Sequence, residues 1–218
     1  MRLRDRIGLT EPHQRLANRS MRASLFGFVL LGIVDLRLGV IVNAGIALLV
    51  TRLPSILERE YDIPMDPGLT LWITAAVFLH ALGTVGLPWM DQNVYASIWW
   101  WDNLTHVVSA SLVAGAGYAT ARALDAHVED LDFPSRFLFA FILLLTLALG
   151  VLWEIVEFGL AELADALGTE AVLTQYGVAD TMQDLLFDAV GAVVVALWGV
   201  TRFTDVSEAI GRVLENRG

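Results

Sequence analysis

Residues 134–160 read PSRFLFAFILLLTLALGVLWEIVEFGL: from Phe137 to Trp153 seventeen residues pass without a charge, and then Glu154 and Glu157 arrive three apart. A helix rises about 1.5 Å per residue, so this stretch is long enough to cross the ~30 Å hydrocarbon core of a bilayer. It predicts a membrane-spanning helix that carries two carboxylates near its far end. Similar apolar stretches lie at about 18–35, 38–57, 69–90, 98–122 and 181–202, joined by short loops that leave no room for a sizeable water-soluble domain. The whole chain agrees. Of its 218 residues 56% are hydrophobic and 17% charged, against roughly 45–50% and about 25% in ordinary soluble domains.

The expected fold is therefore all-α, a polytopic membrane bundle of about six transmembrane helices. Residues 1–17 form an arginine-rich cytoplasmic segment, 18–203 the helical domain, and 204–218 a short amphipathic cytoplasmic helix, where Val206, Ile210, Val213 and Leu214 recur at helical spacing. The purely apolar part of the first span, Ser24 to Val34, is short, so it either borrows polar residues back toward Leu16 or fuses with the next segment across Asp35 and Arg37. Arginine distribution decides in favour of six spans. With both termini cytoplasmic, thirteen of the fourteen arginines fall inside and only Arg37 outside, the bias that membrane insertion produces. The arginine-rich start lacks a small-residue cleavage pattern and is read as an uncleaved first span. Pro54 should end or kink the second helix, and residues 62–68 (DIPMDPG) should form a turn. The expected location is the cell membrane, with membrane lipids as partners.

The net charge is −10, with no lysine, and this acidic exterior argues against a nucleic-acid partner. Acid-rich, lysine-free composition resembles that of membrane proteins of salt-loving archaea. The absence of cysteine removes disulfides, iron–sulfur clusters and thiolate zinc sites, so any metal must be held by His and carboxylates.

Ionisable residues interrupt the spans: His80 in the third, Asp102 and His106 in the fourth, Glu154 and Glu157 in the fifth, Asp180, Gln183, Asp184 and Asp188 in the sixth. Steps of three and four put each set on one helix face. Counted from the cytoplasmic flanks at ~1.5 Å per residue, His80 lies roughly 17 Å in, His106 and Asp102 about 24 and 30 Å, Asp188 and Asp184 about 21 and 27 Å, and Glu154 about 26 Å. Helices of alternating direction thus bring their ionisable groups to similar heights. With Arg37 the one arginine on that side, salt bridges cannot neutralise the acids, and a charged group at membrane depth costs about 2.5–3.5 kcal/mol at the centre. A divalent metal, raised protonation or an outward-opening water cavity must do so. Imidazole with carboxylate suits zinc, iron or manganese, so His80, Asp102, His106, Asp180, Asp184 and Asp188 are the candidate ligands and Glu154 and Glu157 the candidate catalytic acid–base residues.

Other motifs read as packing. Trp99-Trp100-Trp101 with Tyr95 fits an interfacial aromatic belt; Gly115-Ala116-Gly117 and Gly191-Ala192 fit close helix contacts; Asn43 fits an interhelical hydrogen bond; His13 and His127 fall in polar segments and are expected to be solvated.

The order WDNLTH at 101–106, WEIVEF at 153–158 and DTMQDLLFDAVGA at 180–192, preceded by His80-x-x-Gly83, resembles the YjdF-type family of prokaryotic integral membrane proteins and, more loosely, VanZ-like proteins. The resemblance spans about residues 69–200. The family pattern carries arginine where this chain has Asn103, and spaces the last acids differently. It implies a multispanning fold with a polar intramembrane site and no particular substrate. Three functional classes follow from the residues: a metal-dependent hydrolase or transferase acting on a lipid or lipid-linked substrate, a proton- or cation-coupled transporter or channel, and a scaffold whose polar stripes set helix packing. The apolar run below His80 and Asp188 toward the cytoplasm offers no visible relay, which favours the first over the second.

Overall fold

The computed structural model describes residues 10–86, 90, 92–128, 131–173, 175–198 and 203–215. Most of the arginine-rich start, the expected span end at 199–202 with Arg202, and Arg217 lie outside the described residues. Within them the protein is all-helical: α1 Glu11–Val34, α2 Leu38–Val50, α3 Leu53–Tyr61, α4 Pro67–Gly83, α5 Val94–Ser97, α6 Trp101–His127, α7 Ser135–Leu167, α8 Val178–Trp198 and α9 Thr204–Glu215. Three stretches among the described residues are long and apolar enough to cross a membrane, Leu38–Tyr61, Trp101–His127 and Ser135–Leu167; α4 is apolar but shorter. This is a helical membrane protein. Along α7, Leu144, Leu152, Ile155 and Phe158 are each more than half exposed, a continuous apolar face that suits lipid and that a water-soluble surface does not carry at this size.

The chain divides into two units, residues 1–56 with 65–98 and residues 57–64 with 99–218. In the first, α1, α2 and α4 pack together around Leu25, Ala44, Ala47 and Ala81, with Phe28 stacked on Phe78 at 6.0 Å between ring centres. The first helix does borrow polar residues, beginning at Glu11 with Pro12 in its first turn, where proline's missing N–H costs nothing. It does not fuse with α2: Leu36, at φ 55°, turns the chain, and Arg37 N–H closes the turn on Gly32 O at 2.8 Å. A turn at Thr51–Arg52 separates α2 from α3 just before Pro54, as proline in the first turn of a new helix requires. The expected turn at 62–68 ends where Asp66 caps α4, its Oδ1 accepting from Gly68 N–H and Leu69 N–H at 2.7 and 3.0 Å. That helix stops at Gly83 rather than reaching 90, and the chain folds back so that Val94 N–H donates to Val85 O at 3.2 Å. Gly83 is needed there because a Cβ would strike the Tyr95 ring.

In the second unit α6 packs on α8, α7 and α9, and α7 on α8. Without a hydrophobic driving force between helices in lipid, close backbone approach carries the packing, and the glycines fall where contact is tightest. A Cβ on Gly191 of α8 would lie 2.7 Å from Val107 O and 3.0 Å from Ser111 N of α6; one on Gly117 would lie 2.6 Å from Leu145 of α7; one on Gly115 would meet Phe203. The small-residue pairs thus serve helix contact, as their sequence suggests. α7 continues seven residues past the expected end, until Gly168 adopts φ 64° and Thr169 N–H bonds Ala164 O at 2.9 Å. The expected amphipathic helix is present as α9, packed against α6, and there the reading of His127 as solvated is corrected: its ring is half-buried, its Nδ1 lies 3.0 Å from Ala123 O, and it occupies the space a side chain at Gly211 would need. His13 is exposed and pairs with Thr10 at 2.9 Å. Trp99 and Trp100 are exposed, as a belt requires, whereas Tyr95 belongs to the first unit's polar packing.

Gly191→Ala should therefore lose about 1–3 kcal/mol by overpacking against α6, while Gly45→Ala, with nothing within 4 Å of the added atom, should be neutral or gain up to ~1 kcal/mol of helix propensity. Unfolding in a mixed-detergent titration compares the two; equal midpoints would contradict the close α6–α8 contact.

Candidate metal centre

Three helices of the second unit supply the site. On α6, Asp102 and His106 stand one turn apart on the same face; on α8, Asp180, Asp184 and Asp188 form a row of three successive turns; on α7, Glu154 and Glu157 follow Gly150 at steps of four and three. Because α8 lies tight against α6 at Gly191, these faces meet. His106 is the pivot. Its Nε2 lies 3.7 Å from both Asp102 Oδ1 and Asp184 Oδ1, and its Nδ1 lies 3.1 Å from Asp188 Oδ1. One ligand atom from each of Asp102, His106 and Asp184 falls within 4.8 Å of the others. Asp184 and Asp188 are buried and Asp102 is partly open, its side chain 26% exposed, so the cluster has one accessible edge.

The two imidazole nitrogens have different jobs. At 3.1 Å Nδ1 is within hydrogen-bond reach of Asp188, and a carboxylate in its ionised form accepts from a proton on Nδ1. The separations at Nε2 exceed hydrogen-bond length, so this nitrogen faces two carboxylate oxygens with its lone pair available when the ring is neutral. Asp188 reaches His106 past Gly150, since a Cβ there would collide with Asp188 Oδ2. Asp184 Oδ1 is buried and accepts no hydrogen bond, an arrangement that costs about 1–3 kcal/mol unless something positive fills it.

Glu154 of α7 is also buried. Its Oε2 accepts from Thr181 Oγ1 at 2.8 Å, and Thr181 accepts in turn from Gln175 Nε2 at 3.0 Å, while Oε1 has no partner. Glu157 is half-buried and within electrostatic range of Glu154, His106, Asp102 and Asp184. Asp180 does local work at the start of α8, its Oδ2 accepting from Tyr176 N–H at 3.1 Å. Asn103, at the position where the resembled family has arginine, accepts from Gln183 Nε2 at 2.6 Å and ties α6 to α8 beside the cluster. Thr105 donates to Asp102 O at 2.8 Å.

His80, the remaining candidate, belongs to the first unit, where Tyr95 hydroxyl meets its Nδ1 at 2.8 Å and Asn43 Oδ1 its Nε2 at 3.2 Å. The interhelical role expected of Asn43 is thus filled by α2–α4 pairing. Thr181, Gln175 and Gly150 escape sequence reading. Only Gly150 leaves a trace there: a small residue in line with Glu154 and Glu157 on the face that carries the acids.

Comparison with known proteins places this arrangement in context. Residues 18–205 match the family described as predicted membrane protein (DUF2238). A protein of uncharacterised function from Thermotoga maritima is 30% identical over 149 residues, 66% of this chain and 67% of its own length. No solved structure matches the chain.

Thr181→Val should leave both oxygens of Glu154 without a donor and destabilise the protein by about 1–3 kcal/mol, with Thr181→Ser restoring most of it. The same detergent titration reads both. Identical midpoints for all three proteins would show that Thr181 does not hold Glu154.

Proposed function

The chain belongs to the DUF2238 family of predicted membrane proteins, and from that premise we propose that its second unit holds a divalent metal and uses it to hydrolyse or transfer a group on a lipid or lipid-linked substrate. The observation that carries the reading is the convergence of Asp102, Asp184 and the free face of His106 around one point, with a buried Asp184 oxygen that has no hydrogen bond. Two ligands ~2.1 Å from a tetrahedral ion stand roughly 3.4 Å apart, close to the 3.7 Å separations at His106 Nε2. Asp188 then orients the imidazole from behind, the carboxylate–histidine arrangement that fixes tautomer and raises ligand basicity. Three protein ligands leave a position open, as catalytic zinc sites do and structural ones do not.

A divalent ion in such a site supplies Lewis acidity and acidifies a water. Glu154, with one unpartnered oxygen, and Glu157 stand on the neighbouring helix to take and return the proton. The partly open edge at Asp102 is the side from which substrate enters. Zinc, iron and manganese all suit one imidazole with carboxylates.

The same proposal sets six crossings in the cell membrane with both ends in the cytoplasm, supported by the thirteen-to-one division of arginines. Counted at ~1.5 Å per residue from Arg122, the cluster then lies in the outer half of the bilayer, near headgroup depth.

Elemental analysis of protein purified without added chelator should find about one zinc, iron or manganese per chain, falling at least tenfold in His106→Ala and in Asp184→Asn, with helix content unchanged. Well-folded protein that stays metal-free after incubation with each ion would overturn the metal. Metal-loaded protein should cleave a headgroup or linked group from a polar lipid extract, and Glu154→Gln should abolish this while keeping the ion; no product by mass spectrometry would remove the enzymatic role. Reporters fused to the two ends should both respond as cytoplasmic, and a response on opposite sides would refute six crossings.

A further inference from the structure

The first unit contains a cavity of about 540 Å³ beside the α1–α2 turn, whose lining combines apolar Phe28, Leu31 and Met90 with polar Asp35, Arg37 and Gln92. Its volume is in the range that small-molecule sites occupy, and a mixed lining of apolar side chains and a few polar groups is their usual make-up. The turn that presents the two charges is strained. Leu36 occupies the left-handed region, φ 55°, at the helix-end position that glycine ordinarily fills, and a branched side chain there costs about 1 kcal/mol or more. Leu36 itself is 87% exposed, so its own packing does not compensate. Asp35 and Arg37, on either side of it, both line the cavity.

Arg37 is half-buried and has five N–H donors, of which one is engaged, Nη2 to Thr84 O at 3.3 Å. No carboxylate of the described residues pairs with it. An arginine held at a membrane surface with most of its donors free is a partner for a planar, multidentate anion, and phosphate is the one that bilayers supply in quantity. Asp35 beside it excludes a bare polyanion and accepts from a hydroxyl or ammonium. Phe28, Leu31 and Met90 provide no hydrogen bonds and suit hydrocarbon.

We propose that this cavity binds a phosphate-bearing amphiphile, with Arg37 on the phosphate, Asp35 on a hydroxyl or amine of the headgroup, and the first part of the acyl chains over Phe28 and Leu31. The site is separate from the metal centre and stands whether or not that centre holds an ion.

Delipidated full-length protein in uncharged detergent is titrated with dihexanoyl phosphatidylglycerol, inorganic phosphate and dihexanoylglycerol, and binding is followed by calorimetry. The phosphatidylglycerol should bind saturably at one per chain, weakened about tenfold or more in Arg37→Gln and by a similar factor in Met90→Trp, which fills the cavity, while both variants keep the wild-type unfolding midpoint. Equal binding by wild type and both variants, or no saturable binding by wild type, would overturn the proposal. Inorganic phosphate binding as tightly as the lipid would make the ligand a free anion and remove the amphiphile; dihexanoylglycerol binding as tightly would remove the role of Arg37. Should one variant lose its fold, the other carries the comparison alone.

Discussion

His106 is surrounded by three acids. Asp102, Asp184 and Asp188 each lie within 3.7 Å of one of its ring nitrogens, and among the described residues it is the one basic group they contact. In a helical membrane protein this is a severe constraint, because buried acids have little water to screen them. It determines how α6 and α8 must lie. The carboxylates of α8 reach the α6 imidazole only if the backbones approach closely, which is why Gly191 sits against Val107 O and Ser111 N, and why Gly150 of α7 has no side chain where Asp188 passes. Packing and electrostatics are in this sense one requirement: the small residues exist where the charged ones need room.

The helical membrane architecture was legible because length and hydropathy act locally. A run such as Phe137–Trp153 needs no partner to be read as a span, and steps of three and four put Asp102 with His106, and Asp184 with Asp188, on shared faces before any contact is known. Helix ends were harder, since they depend on capping and on what the chain meets next. α1 begins early because Thr10-Glu11-Pro12 can start a helix well before the apolar run; α4 stops early because Gly83 must yield to Tyr95; α7 runs on until Gly168 supplies the left-handed residue that ends it. At Leu36 the turn forms without the glycine that would have announced it.

The site divides in the same way. Which residues carry charge and which face they occupy follows from spacing, but what each one touches depends on partners far along the chain: His106 meets Asp188 82 residues away, and Gln183 meets Asn103 across 80. Spacing alone made Asp180, Asp184 and Asp188 look equivalent. Tertiary contact separates them, with Asp184 facing Nε2, Asp188 holding Nδ1 and Asp180 capping its own helix start. Thr181 could not be found in advance, because it lies a quarter turn off the acidic row and matters only through α7, which brings Glu154 to it. His127 was misplaced for a related reason: a polar flanking sequence says nothing about α9 folding back over it.

What lies beyond the cluster bears on what it can do. Passing an ion or proton across the membrane requires a chain of polar groups leading away from the site. Farther along α6 and α8 from His106 and Asp188, the buried positions without a side-chain polar atom are Ala110, Ala114, Gly115, Gly117, Ala119, Ala121, Ala123, Gly191, Ala192 and Val195, and on the neighbouring length of α7 Leu138 and Ile142. Among the described residues in that direction, the buried hydroxyl-bearing side chains are Ser111, which donates to Val108 O of its own helix, Thr146, whose Oγ1 has no hydrogen bond, Tyr118 of α6 and Ser207 of α9. Asp188 hydrogen-bonds to His106 and to none of these four. A polar cluster flanked on that side mainly by alanine, glycine and valine, with Asp188 bonded to His106 and to none of the hydroxyls beyond it, and partly open at Asp102, supports the reading of chemistry at a fixed site over that of conduction through it.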